Sequence, residues 1–147
     1  MKQEEVIEKL AGWRKSPIKF IESMWGLLPQ PIICENSTCD HLEVKCYGEF
    51  EKGHHLTWHQ YLILRAVERS INEDAPKRIS VAAGHGCGKS ACIAWLDIWF
   101  LFTRRNSQIG CTGPSSGQVF DVLHKEHSIW LKRMPDEVQK FFVWQSS

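Results

Sequence analysis

A glycine-rich run near the middle of the chain holds the residue types that bind a polyphosphate. The run consists of Gly84, His85, Gly86, Cys87, Gly88, Lys89 and Ser90. Glycines let the backbone adopt positive φ angles and approach a ligand closely. Successive N–H groups at the start of a helix then form a site for an anion. This stretch therefore predicts a phosphate-binding loop, and all seven residues are candidate cofactor-binding residues.

Two side chains of the loop have predicted roles of their own. Lys89 is the candidate catalytic residue, because its ammonium group would reach the β- and γ-phosphates of a nucleotide. The Ser90 hydroxyl would bind Mg²⁺. The motif GxxxxGK[ST] is not matched at its first position, which is Ala83, while Gly84 follows one place later. The alternative is a glycine turn that only joins a strand to a helix.

The elements around the loop predict an α/β fold, a partial P-loop NTPase-like parallel sheet with crossover helices. Apolar runs at 78–83 and 108–112 are the predicted strands, and helical spacing predicts helices over 57–72, 89–102 and 117–133. Pro135 begins a last amphipathic segment. In such sheets, ligands bind at the carboxyl ends of the strands. Both candidate loops, at Gly84 and at Gly113, follow a predicted strand.

The chain divides into two predicted regions. Residues 1–56 hold one or two N-terminal helices, up to about residue 28, and an irregular insert rich in Pro, Gly and polar residues. Residues 57–147 form the predicted partial ATPase domain. A net charge of +1 gives no general sign of a nucleic-acid binder. No apolar run is long enough to span a membrane and no signal peptide is recognisable, so we expect a cytoplasmic protein with reduced cysteines.

Several segments together resemble the N-terminal ATPase part of phage large terminase subunits, the motors that package viral DNA. The glycine loop has the form Gly-His-Gly-x-Gly-Lys-Ser, which is common in that family. Leu56-Thr57-Trp58-His59-Gln60 looks like the family's adenine-recognition motif, and Cys111-Thr112-Gly113-Pro114 is similar to its Thr-Ala-Pro-Thr-like motif. Earlier segments, Ser16 to Ile21 and Trp25 to Pro31, occur in the family's order.

The resemblance implies binding of ATP with Mg²⁺ and, in a completed motor, hydrolysis coupled to DNA translocation. It also implies that the partners are double-stranded DNA, a portal protein and a small terminase subunit, and that no membrane is involved. The protein would then be located in the host cytoplasm. Family members continue with a Walker B strand and a nuclease domain. No such strand follows here, so we expect a truncated or split terminase that binds ATP but turns it over poorly. There are two alternatives. The first is another P-loop NTPase, either a helicase-like ATPase or a nucleotide kinase, and the second is a non-catalytic relic or assembly module.

Four further groups of residues each have two interpretations. Gln60 either reads adenine through its amide or lies on a helix surface, and His85 either contacts phosphate or faces solvent. Thr112, Ser115 and Ser116 either touch a nucleic-acid backbone or cap the next helix. Arg104 and Arg105 fit solvated partners of a helix C-terminus better than an arginine finger. A fifth group is a candidate ligand set for zinc, although its spacing supports a zinc site only weakly. The group consists of Cys34, Cys39, His41 and Cys46.

Overall fold

The computed structural model describes residues 3–29, 55–73, 77–84 and 86–142. This part of the chain is mainly helical. Its α-helices are α1 (Gln3–Lys15), α2 (Pro17–Trp25), α3 (Trp58–Asn72), α4 (Lys89–Thr103), α5 (Lys125–Lys132) and α6 (Asp136–Gln139). A π-helix, Gln118–His124, leads directly into α5. Two short strands, β1 (Leu28–Pro29) and β2 (His55–Leu56), form a parallel pair.

The predicted α/β fold with a parallel sheet is wrong for the described residues. Neither 78–83 nor 108–112 forms a strand, and β1 and β2 pair over only two residues each. An apolar run becomes a strand only where a neighbouring strand satisfies its backbone N–H and C=O groups. No such neighbour lies beside either run in the described part of the chain. As a result Ile79 and Val81 are 40% and 45% exposed.

The helix predictions are confirmed, because their end signals are local. Ser16 caps α2 by accepting a hydrogen bond from the Lys19 amide at 3.3 Å, and Pro17 occupies the first turn. At α3 the Thr57 hydroxyl accepts from the Gln60 amide, and the Gln60 side chain accepts from the Thr57 amide at 3.0 Å. This reciprocal capping box starts α3 where the sequence predicts it.

Helix α4 lies at the centre of the helical packing. It contacts α1, α2, α3, α5 and the π-helix, which is why its sequence is apolar on nearly all sides. Fully buried side chains from three helices, Phe20, Leu64 and Trp99, belong to one apolar core. The Trp99 indole N–H donates to the Trp13 carbonyl at 2.6 Å. This bond joins the middle of α4 to the end of α1.

Helices α3 and α4 run in the same direction. Their first turns are joined where the Gln60 side chain donates to the Gly88 carbonyl at 3.2 Å. Their last turns both reach the end of α1, since Asn72 donates to the Lys15 carbonyl and Arg104 to the Arg14 carbonyl. Each helix has 15 residues and is therefore about 22 Å long. The glycine loop and the C-terminal ends of these helices lie at opposite ends of the bundle.

The predicted helix over 117–133 is present as the π-helix followed by α5, and the segment after Pro135 contains α6. Most of the predicted insert, 30–54, lies outside the described residues. Among the helices that the structure describes, none combines the length and the apolar character that crossing a bilayer requires.

Candidate functional site

The glycine loop has the backbone conformation that its sequence predicts. Gly86 and Gly88 have φ angles of +78° and +75°, in the left-handed region. Gly88 is also the N-cap residue of α4. Because L-residues with a side chain are strained at these angles, the two glycines allow the chain to turn sharply into the helix.

Gly88 is required for a second reason, which is its contact with Gln60. A Cβ atom at position 88 would lie 2.3 Å from the Gln60 Nε2 atom. Gln60 is buried, with 7% exposure. Its Oε1 accepts from the Thr57 amide, and its Nε2 donates to the Gly88 carbonyl. Both ends of the amide that we predicted to read adenine are therefore engaged within the protein.

The Lys89 side chain folds back over the loop that precedes it. Its Nζ donates to the Ala83 carbonyl at 2.8 Å and to the Gly84 carbonyl. The Cys87 sulfur lies 3.4 Å from the same ammonium group and donates to the Gly84 carbonyl at 3.2 Å. The ammonium group is thus held directly beside the turn, where a bound anion would meet it.

The remaining predicted loop residues lie around this turn. Gly84 and Gly86 are exposed, whereas Cys87 and Ser90 are half-buried, with Ser90 in the first turn of α4. His85 lies outside the described residues, and its predicted phosphate contact stays a prediction.

The start of α4 offers backbone donors for an anion. The first four N–H groups of a helix have no partner within the helix, and no side chain caps α4 at Gly88. The first turn of α3 lies alongside, so the positive ends of two helix dipoles meet at the loop. The donors, the dipoles and the Lys89 ammonium group fit a phosphate in charge and in hydrogen-bonding character.

The residues of the glycine loop and the start of α4 fit Mg²⁺ only when a nucleotide is bound with it. In the part of the chain that the structure describes, no group of three or more His, Cys, Asp or Glu side chains could hold a metal ion. Magnesium usually keeps several waters and takes few protein ligands besides substrate phosphates. Ser90 is therefore the residue that would supply a hydroxyl ligand.

An open groove adjoins the loop on the side of α3. Its volume is about 260 Å³, and its floor and walls include Leu62, Ile63, Ala66, Ile79 and Val81. Cys87 and Lys89 line its end at the loop. The groove is lined by residues of α3 and of the 79–83 segment, a feature that the sequence did not predict.

The carboxylates near α4 are engaged away from the loop. The Asp97 carboxylate forms a hydrogen bond with the His127 Nε2 atom at 2.9 Å, and both side chains are mostly buried. The Cys111 thiol lies 3.8 Å from the same carboxylate. Partial burial and then the Asp97 charge raise the pKa of Cys111. Glu126 accepts from the Trp130 indole, so it serves packing in α5.

Two other candidate groups contain a residue that makes contacts within the protein. The Ser115 hydroxyl accepts from the Gln118 amide at 3.3 Å, which is a helix-capping contact. The Arg104 guanidinium lies 4.4 Å from the ring centroids of both Trp99 and Phe100. It is therefore less solvated than the sequence indicated. The cysteines and the histidine of the alternative zinc site lie outside the described residues.

Comparison of the chain with protein-family models, with curated proteins and with solved structures gives no match.

Proposed function

We propose that this chain binds Mg²⁺-ATP at the glycine loop and serves as the ATP-binding N-terminal segment of a viral DNA-packaging motor. The observation that carries the proposal is the conformation of Gly86 and Gly88, both left-handed immediately before an uncapped helix that begins at Lys89. The resemblance to large terminases supplies the identity of the nucleotide and of the motor. The loop geometry supports the binding of phosphate, on a helical scaffold.

Binding requires one rearrangement within the loop. The Lys89 ammonium group contacts two carbonyl oxygens in this structure. The phosphates of a bound nucleotide would replace these oxygens as its hydrogen-bond partners. Phosphate oxygens carry full negative charge, so they compete well with neutral carbonyl groups for an ammonium ion. Backbone donors of the first turn of α4 would hold the same phosphates. Ser90 would orient the metal ion that accompanies them.

A non-catalytic nucleotide-binding module is the second candidate, and one observation favours it. The partly buried carboxylate of α4, Asp97, is paired with His127 and lies about 12 Å along the helix from Lys89, so it is not placed to orient a water molecule there. Turnover requires such a group and charge stabilisation of the transition state. In the completed motor, other regions would supply both.

Titration calorimetry of Mg²⁺-ATP with the wild-type chain and Lys89→Ala tests the proposal. We expect the variant to lose at least about tenfold in affinity, or about 1.4 kcal/mol, since it lacks the ammonium group aimed at the phosphates. Lys125→Ala, which removes an exposed lysine of α5, is the matched control and should bind as the wild type does. Equal affinities for wild type and Lys89→Ala, or no binding by a folded wild-type chain, would contradict the proposal.

A further inference from the structure

The open groove beside the glycine loop presents apolar side chains to solvent. Part of its lining is one face of α3, made by residues at helical spacing: His59, Leu62, Ile63 and Ala66. The segment 79–83 supplies most of the rest. Leu62, Ile79 and Val81 are all exposed, so a ligand that covers them would remove apolar surface from water.

The groove continues into the glycine loop, because Cys87 and Lys89 line both. The Lys89 ammonium group is the one that the phosphates of a bound nucleotide would meet. The groove has a volume of about 260 Å³, whereas pockets that enclose a whole drug-sized ligand measure about 300–1,000 Å³. Its size therefore suits one part of a nucleotide, with the triphosphate outside the groove on the loop.

Gln60 lies on a different face of α3 from the groove. It is not among the described residues that line the groove, and both Gln60 and Leu64, one turn later, are buried. Its side-chain amide is already bonded to the Thr57 amide and to the Gly88 carbonyl. A base in the groove would therefore lie against apolar side chains and not against the amide that the sequence predicts to read adenine.

The lining of the groove has few groups that could tell one base from another. Readout of a base edge by two hydrogen bonds at once uses side chains such as Asn, Gln and Arg. None of these lines the groove in the part of the chain that the structure describes. A site built to hydrogen-bond its ligand rejects analogues by about 10⁴–10⁵, and a hydrophobic pocket discriminates by only about a hundredfold.

We propose that the groove holds the base and sugar of the bound nucleotide through apolar contact, so that the site accepts nucleoside triphosphates as a class and not ATP alone. This position of the base rests on the proposed nucleotide site at the glycine loop. It differs from the adenine readout by Gln60, because the contacts come from Leu62, Ile79 and Val81.

Titration calorimetry with the Mg²⁺ complexes of ATP, GTP and tripolyphosphate separates the base from the phosphates, because tripolyphosphate has neither base nor sugar. The test variant combines Leu62→Gln with Val81→Gln, which makes the groove more polar without changing its charge. The control variant combines Leu101→Gln with Val122→Gln, the same exchanges at positions outside the groove lining. The exposures match, at 43% and 45% for the test pair and 43% and 48% for the control pair. Circular dichroism establishes that both variants are folded.

We expect the wild-type affinities for ATP and GTP to differ by less than about a hundredfold. The test variant should lose at least tenfold in affinity for both nucleotides and keep its affinity for tripolyphosphate, since only the base and sugar lie in the groove. The control variant should bind all three ligands as the wild type does.

Two kinds of failure are distinguishable. If the folded wild-type chain binds none of the three ligands, both the nucleotide site and the position of the base are wrong. If it binds ATP, three results would overturn the position or tolerance of the base alone. These are equal losses in the test and control variants, a loss for tripolyphosphate as large as that for the nucleotides, and a preference for ATP over GTP above about a hundredfold.

Discussion

At the scale of single residues, Gly88 and Gln60 link the two helices that begin at the candidate site. Gln60 closes the capping box of α3 with one end of its amide and bonds to the Gly88 carbonyl with the other. The close approach depends on the missing side chain at position 88. These residues therefore determine how the glycine loop sits against α3, whatever ligand the loop binds.

We expect Gly88→Ala to destabilise the protein by about 1–3 kcal/mol, the cost of a non-glycine residue in a strained backbone region. The added Cβ would also displace Gln60 from its bond to the Gly88 carbonyl. Urea denaturation measures the change in the free energy of unfolding. Gly12→Ala is the control, since Gly12 lies within α1 with open space around it, and should be neutral or stabilising by up to about 1 kcal/mol. Equal stability of the two variants would contradict the expectation.

The predicted adenine contact of Gln60 can be separated from its structural role. Gln60→Glu keeps an acceptor for the Thr57 amide, so the capping box survives, but it removes the amide donor. If the Gln60 amide reads adenine, the variant should lose the preference for ATP over GTP, a ratio that is measured separately from the fall in thermal stability expected when a buried carboxylate faces the Gly88 carbonyl. Competition binding of the two nucleotides provides the measurement, with Gln60→Ala as the more disruptive comparison. An unchanged preference in both variants would remove Gln60 from the nucleotide site.

At the scale of elements, the Asp97–His127 pair fastens α4 to α5. The two side chains are only 15% and 12% exposed, and they belong to helices that also pack through Trp95 and Trp130, whose ring centroids are 4.9 Å apart. The polar pair and the aromatic contact together fix one helix against the other.

A double-mutant cycle with Asp97→Asn and His127→Gln should give a coupling energy of about 0.5–3 kcal/mol, as expected for contacting residues. The exposed pair Arg69–Glu73 at the C-terminal end of α3 provides the comparison, with an expected coupling of about 0.2–1 kcal/mol. Chemical denaturation of the four chains in each cycle supplies the energies. A coupling at Asp97–His127 no larger than that at Arg69–Glu73 would show that the contact does not stabilise the packing of the two helices.

At the scale of the whole molecule, the parallel course of α3 and α4 places the glycine loop and the C-terminal ends of both helices at opposite ends of the bundle. The positive ends of both helix dipoles lie at the glycine loop, and the exposed cations Arg14, Lys15 and Arg105 lie about 22 Å away. The candidate nucleotide site therefore lies at one end of α4, and these cations lie at the other.

We expect the isolated chain to hydrolyse ATP at close to the background rate even where it binds ATP. Lys89 and Ser90 can position phosphates and metal, but an arginine finger alone contributes roughly 10³ to 10⁵ in rate, and the candidate arginines Arg104 and Arg105 lie at the opposite end of α4 from Lys89. A steady-state phosphate-release assay measures the rate, with Lys89→Ala as the control for contaminating ATPases. Turnover near one per second that disappears in Lys89→Ala would show that the chain holds a complete catalytic site.

Features that depend on neighbours a few residues away could be predicted from local sequence signals alone. The caps of α2 and α3 involve residues three apart, Ser16 with Lys19 and Thr57 with Gln60, and the turn of the glycine loop follows from glycine's freedom at positive φ. Such signals are readable because the interacting groups are adjacent in the chain.

Contacts between segments that are distant in the chain could not be predicted in this way. The apolar run at 78–83 looked like a strand, but a strand needs hydrogen-bonding partners from elsewhere in the chain, and this run has none among the described residues. Gln60 looked free to bind a base, yet its Nε2 bonds to a carbonyl 28 residues away. Arg104 looked solvated, yet it packs on Trp99 beside Arg14. Each outcome depends on long-range packing, which local sequence patterns do not encode.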